Sequence, residues 1–130
     1  MKLSQNTNHT KVLIKTRINR TESIEKIQTT IKNITSKTPT IETKKTLEIS
    51  GDIDLLNTIK NRINREGLNE VAGNILNGNK EDNSTFFFIN KQSAYNNKFH
   101  INDVDLSPLG DIRVEIYDEN IDELIDYIIN

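Results

Sequence analysis

Apolar residues along this chain recur either at every second position or at helical spacings of three and four, and the switches between the two mark out its elements. From Lys11 to Asn19 the period is two: Val12, Ile14 and Ile18 point one way, Lys11, Lys15 and Arg17 the other, and only Leu13 breaks the rule. That pattern specifies a half-buried strand with a basic outer face. Thr21 is then placed to cap a helix, with Glu22 and Glu25 in its first turn, where a helix favours negative charge. Ile24, Ile27, Ile31 and Ile34 form its apolar stripe, and Thr38-Pro39 ends it. Residues 40–50 alternate again, with Ile41, Leu47 and Ile49 inward and Glu42, Lys44 and Glu48 outward, and Gly51 closes the strand.

Asp52 is expected to cap a second helix carrying Ile53, Leu56, Ile59 and Ile63. After a break at Gly67, a third carries Leu68, Val71, Ala72, Ile75 and Leu76 to Asn77-Gly78. Thr85–Ile89 is a dense apolar strand without clean alternation, the pattern of burial on both faces. A short strand is expected at Phe99–Ile101, and an alternating one from Ile112 to Ile116 after the turn Ser107-Pro108-Leu109-Gly110. Asn120 with Glu123 resembles a capping box opening a last helix with Ile121, Leu124, Ile125 and Ile128 on its stripe. The order β-α-β-α-α-β-(β)-β-α predicts an α+β fold, helices on one side of a mainly antiparallel sheet.

At 130 residues the chain suits one domain, expected over 11–130, with the polar stretch 1–10 as a disordered tail. Without cysteine it has no disulfides, thiolate metal sites or Cys nucleophile. Its longest apolar run, Phe86–Ile89, is far short of the ~20 residues of a membrane-spanning helix. With no secretory signal at the start, a cytoplasmic location is expected. Charge is unevenly spread. Residues 1–45 hold ten Lys/Arg against three Glu, whereas residues 103–130 hold nine Asp/Glu against Arg113 alone. Such asymmetry fits an anionic partner for the basic part, two ends that attract each other, or two solvated faces.

Catalytic chemistry is thinly represented. His100, Asp103 and Asp105 have a metal-like composition but share one loop without a distant fourth ligand, so a solvated loop is expected. There is no phosphate-cradling glycine loop and no serine in a nucleophile elbow. Asp118, Glu119, Asp122, Glu123 and Asp126 fit a solvated helix face better than paired acids. No enzyme activity, cofactor or metal is expected. Lys11, Lys15 and Arg17, with Lys44 and Arg113 on neighbouring strands, instead form a basic sheet face of the kind that tracks a phosphate backbone. Phe86, Phe87 and Phe88 are all expected in the core. Asn90, Lys91 and Gln92 follow the strand directly. They can satisfy its terminal backbone groups or present donors to a phosphate or base edge; the first role is favoured for Asn90 and Gln92, the second for Lys91.

The stretch Thr85-Phe86-Phe87-Phe88-Ile89-Asn90-Lys91-Gln92-Ser93-Ala94 resembles the signature of the archaeal uncharacterised protein family 0201, an aromatic strand followed by Asn-Lys-Gln-Ala-Ala. Leu109-Gly110, Ile112, Val114 and the closing Glu123-Leu124-Ile125-Asp126-Tyr127 match as well, with Ser93 for an Ala, Tyr127 where Trp is common, and Gly73 in place of a basic residue. The resemblance implies a fold like that of a 5S-RNA-associated large-subunit ribosomal protein, and RNA binding or exosome association. The expectation is therefore a non-enzymatic RNA-binding protein using Lys11, Lys15, Arg17, Lys44, Lys91 and Arg113. The alternative is a protein-interaction or homodimeric assembly module without a nucleic-acid role.

Overall fold

The computed structural model describes residues 10–37, 41–43 and 45–130, with backbone alone at 41 and 42. The expected positions Thr38-Pro39 and Lys44 lie outside these residues, as do residues 1–9 of the expected tail. Thr10 does not belong to a tail. It is buried, and its hydroxyl donates to Asp118 at 2.5 Å.

The elements run β1 (Lys11–Arg17), α1 (Ile24–Thr35), β2 (Ile41–Glu42), β3 (Thr46–Gly51), α2 (Ile53–Arg65), α3 (Asn69–Gly78), β4 (Ser84–Ile89), α4 (Lys91–Tyr95), β5 (Ile101–Asn102), β6 (Ile112–Tyr117) and α5 (Ile121–Ile129). The strands form one sheet in the order β2-β3-β1-β6-β4-β5, every pairing antiparallel. The α+β class and the one-sided helix layer are as the periodicity predicts. The expected single strand at 40–50 is instead a hairpin, turned where Thr43 N–H bonds Thr46 O and Thr43 Oγ1 takes the Thr46 N–H.

Val12 and Ile14 of β1, Leu47 and Ile49 of β3, Ile112, Val114 and Ile116 of β6, and Phe87 and Ile89 of β4 form one continuous core with the apolar stripes of α1, α2, α3 and α5. Asp52 caps α2 as expected, accepting from Asp54 N–H. The cap of α1 is Ser23 rather than Thr21, leaving Glu22 outside the helix. Asn120 makes no side-chain cap; Asp118, buried under Thr10, receives the Asn120 N–H instead. Asp118 therefore leaves the expected solvated carboxylate face, whereas Asp122 stays exposed in an ion pair with Lys80.

The strongly basic and strongly acidic segments meet inside the sheet. β1 lies directly against β6, with Lys15 opposite Arg113 and Leu13 opposite Glu115. Like charges facing each other across strands are unfavourable. Glu115 offsets this by reaching Lys15 at 2.9 Å and Arg113 at 3.0 Å.

Candidate nucleic-acid interface

Because side chains alternate across a strand, the sheet face turned away from the helices is set by register. From edge to centre it carries Glu48 and Ser50 on β3, Leu13, Lys15 and Arg17 on β1, and Arg113, Glu115 and Tyr117 on β6. The register continues it onto β4, with Phe86 opposite Glu115 and Phe88 opposite Arg113, and onto Asn102 of β5. None of these residues belongs to the core cluster. Lys11, Lys15, Arg17 and Arg113 are thus brought onto one face.

Phe86 corrects the expectation that all three phenylalanines are core: it is only half-buried, whereas Phe87 joins the core cluster and Phe88, on the face opposite Phe87, is buried as expected. The Phe86 and Phe88 rings meet edge to face, centroids 5.9 Å apart, and the Arg113 guanidinium lies 4.1 Å from the Phe86 centroid and 5.5 Å from that of Phe88. Such proximity draws the guanidinium toward the rings by cation–π attraction. The run Thr85–Ile89 is apolar on both parities, so alternation could not assign a face. The one available signal was Ser84, a polar residue in step with Phe86 and Phe88.

Glu115 is the electrostatic centre. Burial pushes its carboxyl up, but hydrogen bonds from Tyr117, Lys15 and Arg113 outweigh this and hold it below the usual carboxylate value. The Tyr117 phenol, donating to Glu115 Oε1, is pushed up by that bond. A carboxyl lowered in the folded state stabilises above its unfolded pKa, near 4.5, and that contribution disappears as pH falls through the folded value. Glu115→Gln is therefore expected to lose less stability than the wild type between pH 7 and pH 3. Urea unfolding at both pH values checks this; parallel losses would show that Glu115 is not so held.

Lys91 departs from the expected contact role. Its side chain is buried, and Nζ bonds both Glu22 carboxylate oxygens (3.1 and 3.2 Å) and the backbone oxygens of Arg17 (2.9 Å) and Leu109 (3.1 Å). Burial pulls its ammonium below the usual lysine range, opposed by Glu22. Burial raises Glu22, but the Asn19 backbone and side-chain amides, then Lys91, bring it below its ordinary value. Lys91 thus ties β1, the start of α1 and the 103–110 loop together rather than reaching outward. Asn90 plays the structural role favoured for it, capping α4 through Ser93 N–H at 2.8 Å and donating its own N–H to His100 O. Gln92, by contrast, is exposed.

Gly110 adopts a φ of +83°, and a Cβ there would lie 2.7 Å from Arg17 Nε. Any side chain at this position would displace the arginine from the end of the basic face. His100 and Asp105 do not converge: His100 Nδ1 pairs with Ser93 Oγ, while Asp105 accepts the N–H groups of Ser107 and Asp111. Among the described residues no three His, Asp or Glu side chains gather into a metal-ligating group, and no helix is long and apolar enough to cross a membrane.

No family model matches the chain. A UPF0201 protein of Methanothermobacter thermautotrophicus, however, is 31% identical over 118 residues, covering 91% of this chain and 89% of that protein. The chain belongs to the UPF0201 family. A crystal structure of the UPF0201 protein from Methanococcus jannaschii superposes with a TM-score of 0.79 at 28% identity, over 92% of this chain and 99% of that one. A DUF54 protein of Sulfolobus solfataricus shares the fold, with a TM-score of 0.66 at 18% identity over 92% and 97% of the two chains. In this UPF0201 chain, Gly73 has a packing reason: a Cβ there would stand 3.2 Å from Ile129 Cδ1, so α3 and α5 approach closely. Tyr127 is held by its hydroxyl on Asn57 and by Lys60, which lies over the ring and bonds its carbonyl.

Proposed function

We propose that this protein is a non-enzymatic, cytoplasmic RNA-binding protein that uses the helix-free sheet face, acts in RNA processing, and is related in fold to a 5S-RNA-associated large-subunit ribosomal protein. The observation that carries the reading is the placement of the half-buried Phe86, with Arg113 packed against it and against the buried Phe88, on the same face as Lys11, Lys15 and Arg17. Aromatic rings on an open sheet stack unpaired bases, while lysine and arginine beside them follow the phosphates. Glu48 and Glu115 offset part of the positive charge, so binding is expected to be micromolar and salt-sensitive, with fewer than five phosphates neutralised. Each phosphate contributes about 0.7–0.9 to the slope of log affinity against log salt.

The test uses Lys11→Glu with Arg17→Glu, two exposed cations. Lys15 is a poor probe, because a glutamate there would face Glu115 and disturb the fold. The double variant is expected to lose binding to single-stranded RNA at low salt while its thermal midpoint stays put. Wild-type affinity in the variant, or no binding by the wild type, defeats the reading.

An assembly or protein-docking role is favoured by a different observation. Val104, Leu106 and Leu109 all stand exposed on the 103–110 loop, Leu106 at 65%. Sedimentation of the wild type against Leu106→Ser decides it: a stable oligomer dispersed by the substitution would support assembly.

A further inference from the structure

Beside the open face lies a groove of about 520 Å³, walled by the start of α1, by α4 and by the 103–110 loop. That size falls within the roughly 300–1,000 Å³ of small-molecule sites. Its walls combine a partly exposed ring, Tyr95, with the side chains of Gln92 and Asn96 and the apolar surface of Ile27 and Leu109. Lys91 and Glu22 line it as well, neutralised against each other, and Lys26 stands over the Tyr95 ring at 5.6 Å. The groove is therefore a mixed apolar, hydroxyl and amide surface with one remaining lysine, and Asn96 Nδ2 donates to Gln92 O at 3.1 Å, which leaves its Oδ1 and second N–H for a ligand. A flat, hydrogen-bonding, uncharged ring suits such a surface better than a phosphate group does.

The groove is also joined to the basic face. Lys91 Nζ, on the groove wall, holds the backbone oxygens of Arg17 and Leu109, and the Arg17 side chain rests on Gly110 beside Leu109. A strand crossing the sheet along Phe86, Arg113 and Arg17 would thus leave the face at the groove. We propose that the groove receives a nucleobase, delivered by a single-stranded RNA as it leaves the face past Arg17. The base stacks against Tyr95, and its edge is read by the Gln92 and Asn96 amides. This rests on the RNA-binding reading and extends it from a sequence-tolerant stacking face to one base pocket. A free mononucleotide offers the same ring chemistry from another source.

The experiment titrates the isotope-labelled full chain with oligoadenylates of about four to ten nucleotides, and separately with adenosine monophosphate. The Gln92 and Asn96 side-chain amide signals are followed by NMR, and affinities are measured for the wild type, Phe86→Ala and Tyr95→Ala. The expected result is that the longer oligonucleotides shift both amide signals, and that Tyr95→Ala weakens them roughly fivefold or more without a change in thermal midpoint. If Phe86→Ala weakens binding while the groove signals stay still and Tyr95→Ala binds as the wild type does, the base pocket is overturned and the RNA face stands. If no oligonucleotide binds, the RNA reading fails. The groove then survives as a free-nucleotide site only if adenosine monophosphate shifts the two amides and Tyr95→Ala removes the shift; unmoved signals overturn it too.

Discussion

Replacing Lys91 by methionine is expected to lower the unfolding free energy by about 3–5 kcal/mol, the range found when one partner of a buried ion pair is removed. Methionine fills most of the volume of the lysine stem but supplies none of the hydrogen bonds that Nζ makes to Glu22, Arg17 O and Leu109 O. The Glu22 carboxylate would remain half-buried at the groove wall, held by the Asn19 backbone and side-chain amides. Part of the loss should return in Lys91→Met with Glu22→Gln, because the second change removes the stranded charge. It should also shrink at low pH, where Glu22 of the single variant takes up a proton. Urea unfolding of the three chains at pH 7 and pH 4 measures all of this. A loss under 1 kcal/mol in Lys91→Met would show that the junction of β1, α1 and the 103–110 loop does not depend on the ammonium.

A loss of about 2–3 kcal/mol, the upper range for hydrogen bonds made by a charged group, is expected for Arg62→Met. Arg62 is buried within α2 and donates Nη1–H to Asn33 O (3.2 Å) and Asn97 Oδ1 (2.9 Å), and Nη2–H to Asn97 O (3.2 Å). Its guanidinium lies 5.3 Å from the Phe99 ring centroid. One fork thus fastens the end of α1 to the turn after α4, where Asn97 sits at a φ of +58°. Nε is buried without a partner, so even the native arrangement carries an unmet donor. Arg62→Lys should rescue little, because a single ammonium cannot span the same acceptors in the plane of the fork. Calorimetry of the two variants checks this; a lysine variant as stable as the wild type would mean that charge alone, not the fork, is what the site requires.

Both residues illustrate where reading the sequence stopped. Lys91 in an Asn-Lys-Gln run after an apolar strand reads as a donor held out at the end of the sheet. Arg62 stands beside the apolar stripe of α2, and nothing in its local sequence singles it out. Each is buried because segments distant in sequence supply its partners: Glu22 and Leu109 for Lys91, Asn33 and Asn97 for Arg62. Periodicity carries no information about such pairings. The hairpin at β2 and β3 carries no Gly or Pro at its turn; its sole mark in the sequence is the unbroken polar run Glu42 to Thr46, which a solvated strand face can also produce.

The sequence by itself determined the α+β class, the order of the main helices and strands, and the outward direction of Lys11, Lys15, Arg17 and Arg113. Burial enforces a period of two on a half-covered strand and spacings of three and four on a half-covered helix, so these features are written locally. Tertiary structure alone decided that Phe86 and Phe88 share the open face with Arg113, that Glu115 lies among three partners there, and that α1, α4 and the 103–110 loop enclose a groove next to Arg17. Register across β1, β6 and β4 sets the first two, and register depends on how strands far apart in the chain pair rather than on the residues within any one of them; the packing of α1 against α4 sets the third.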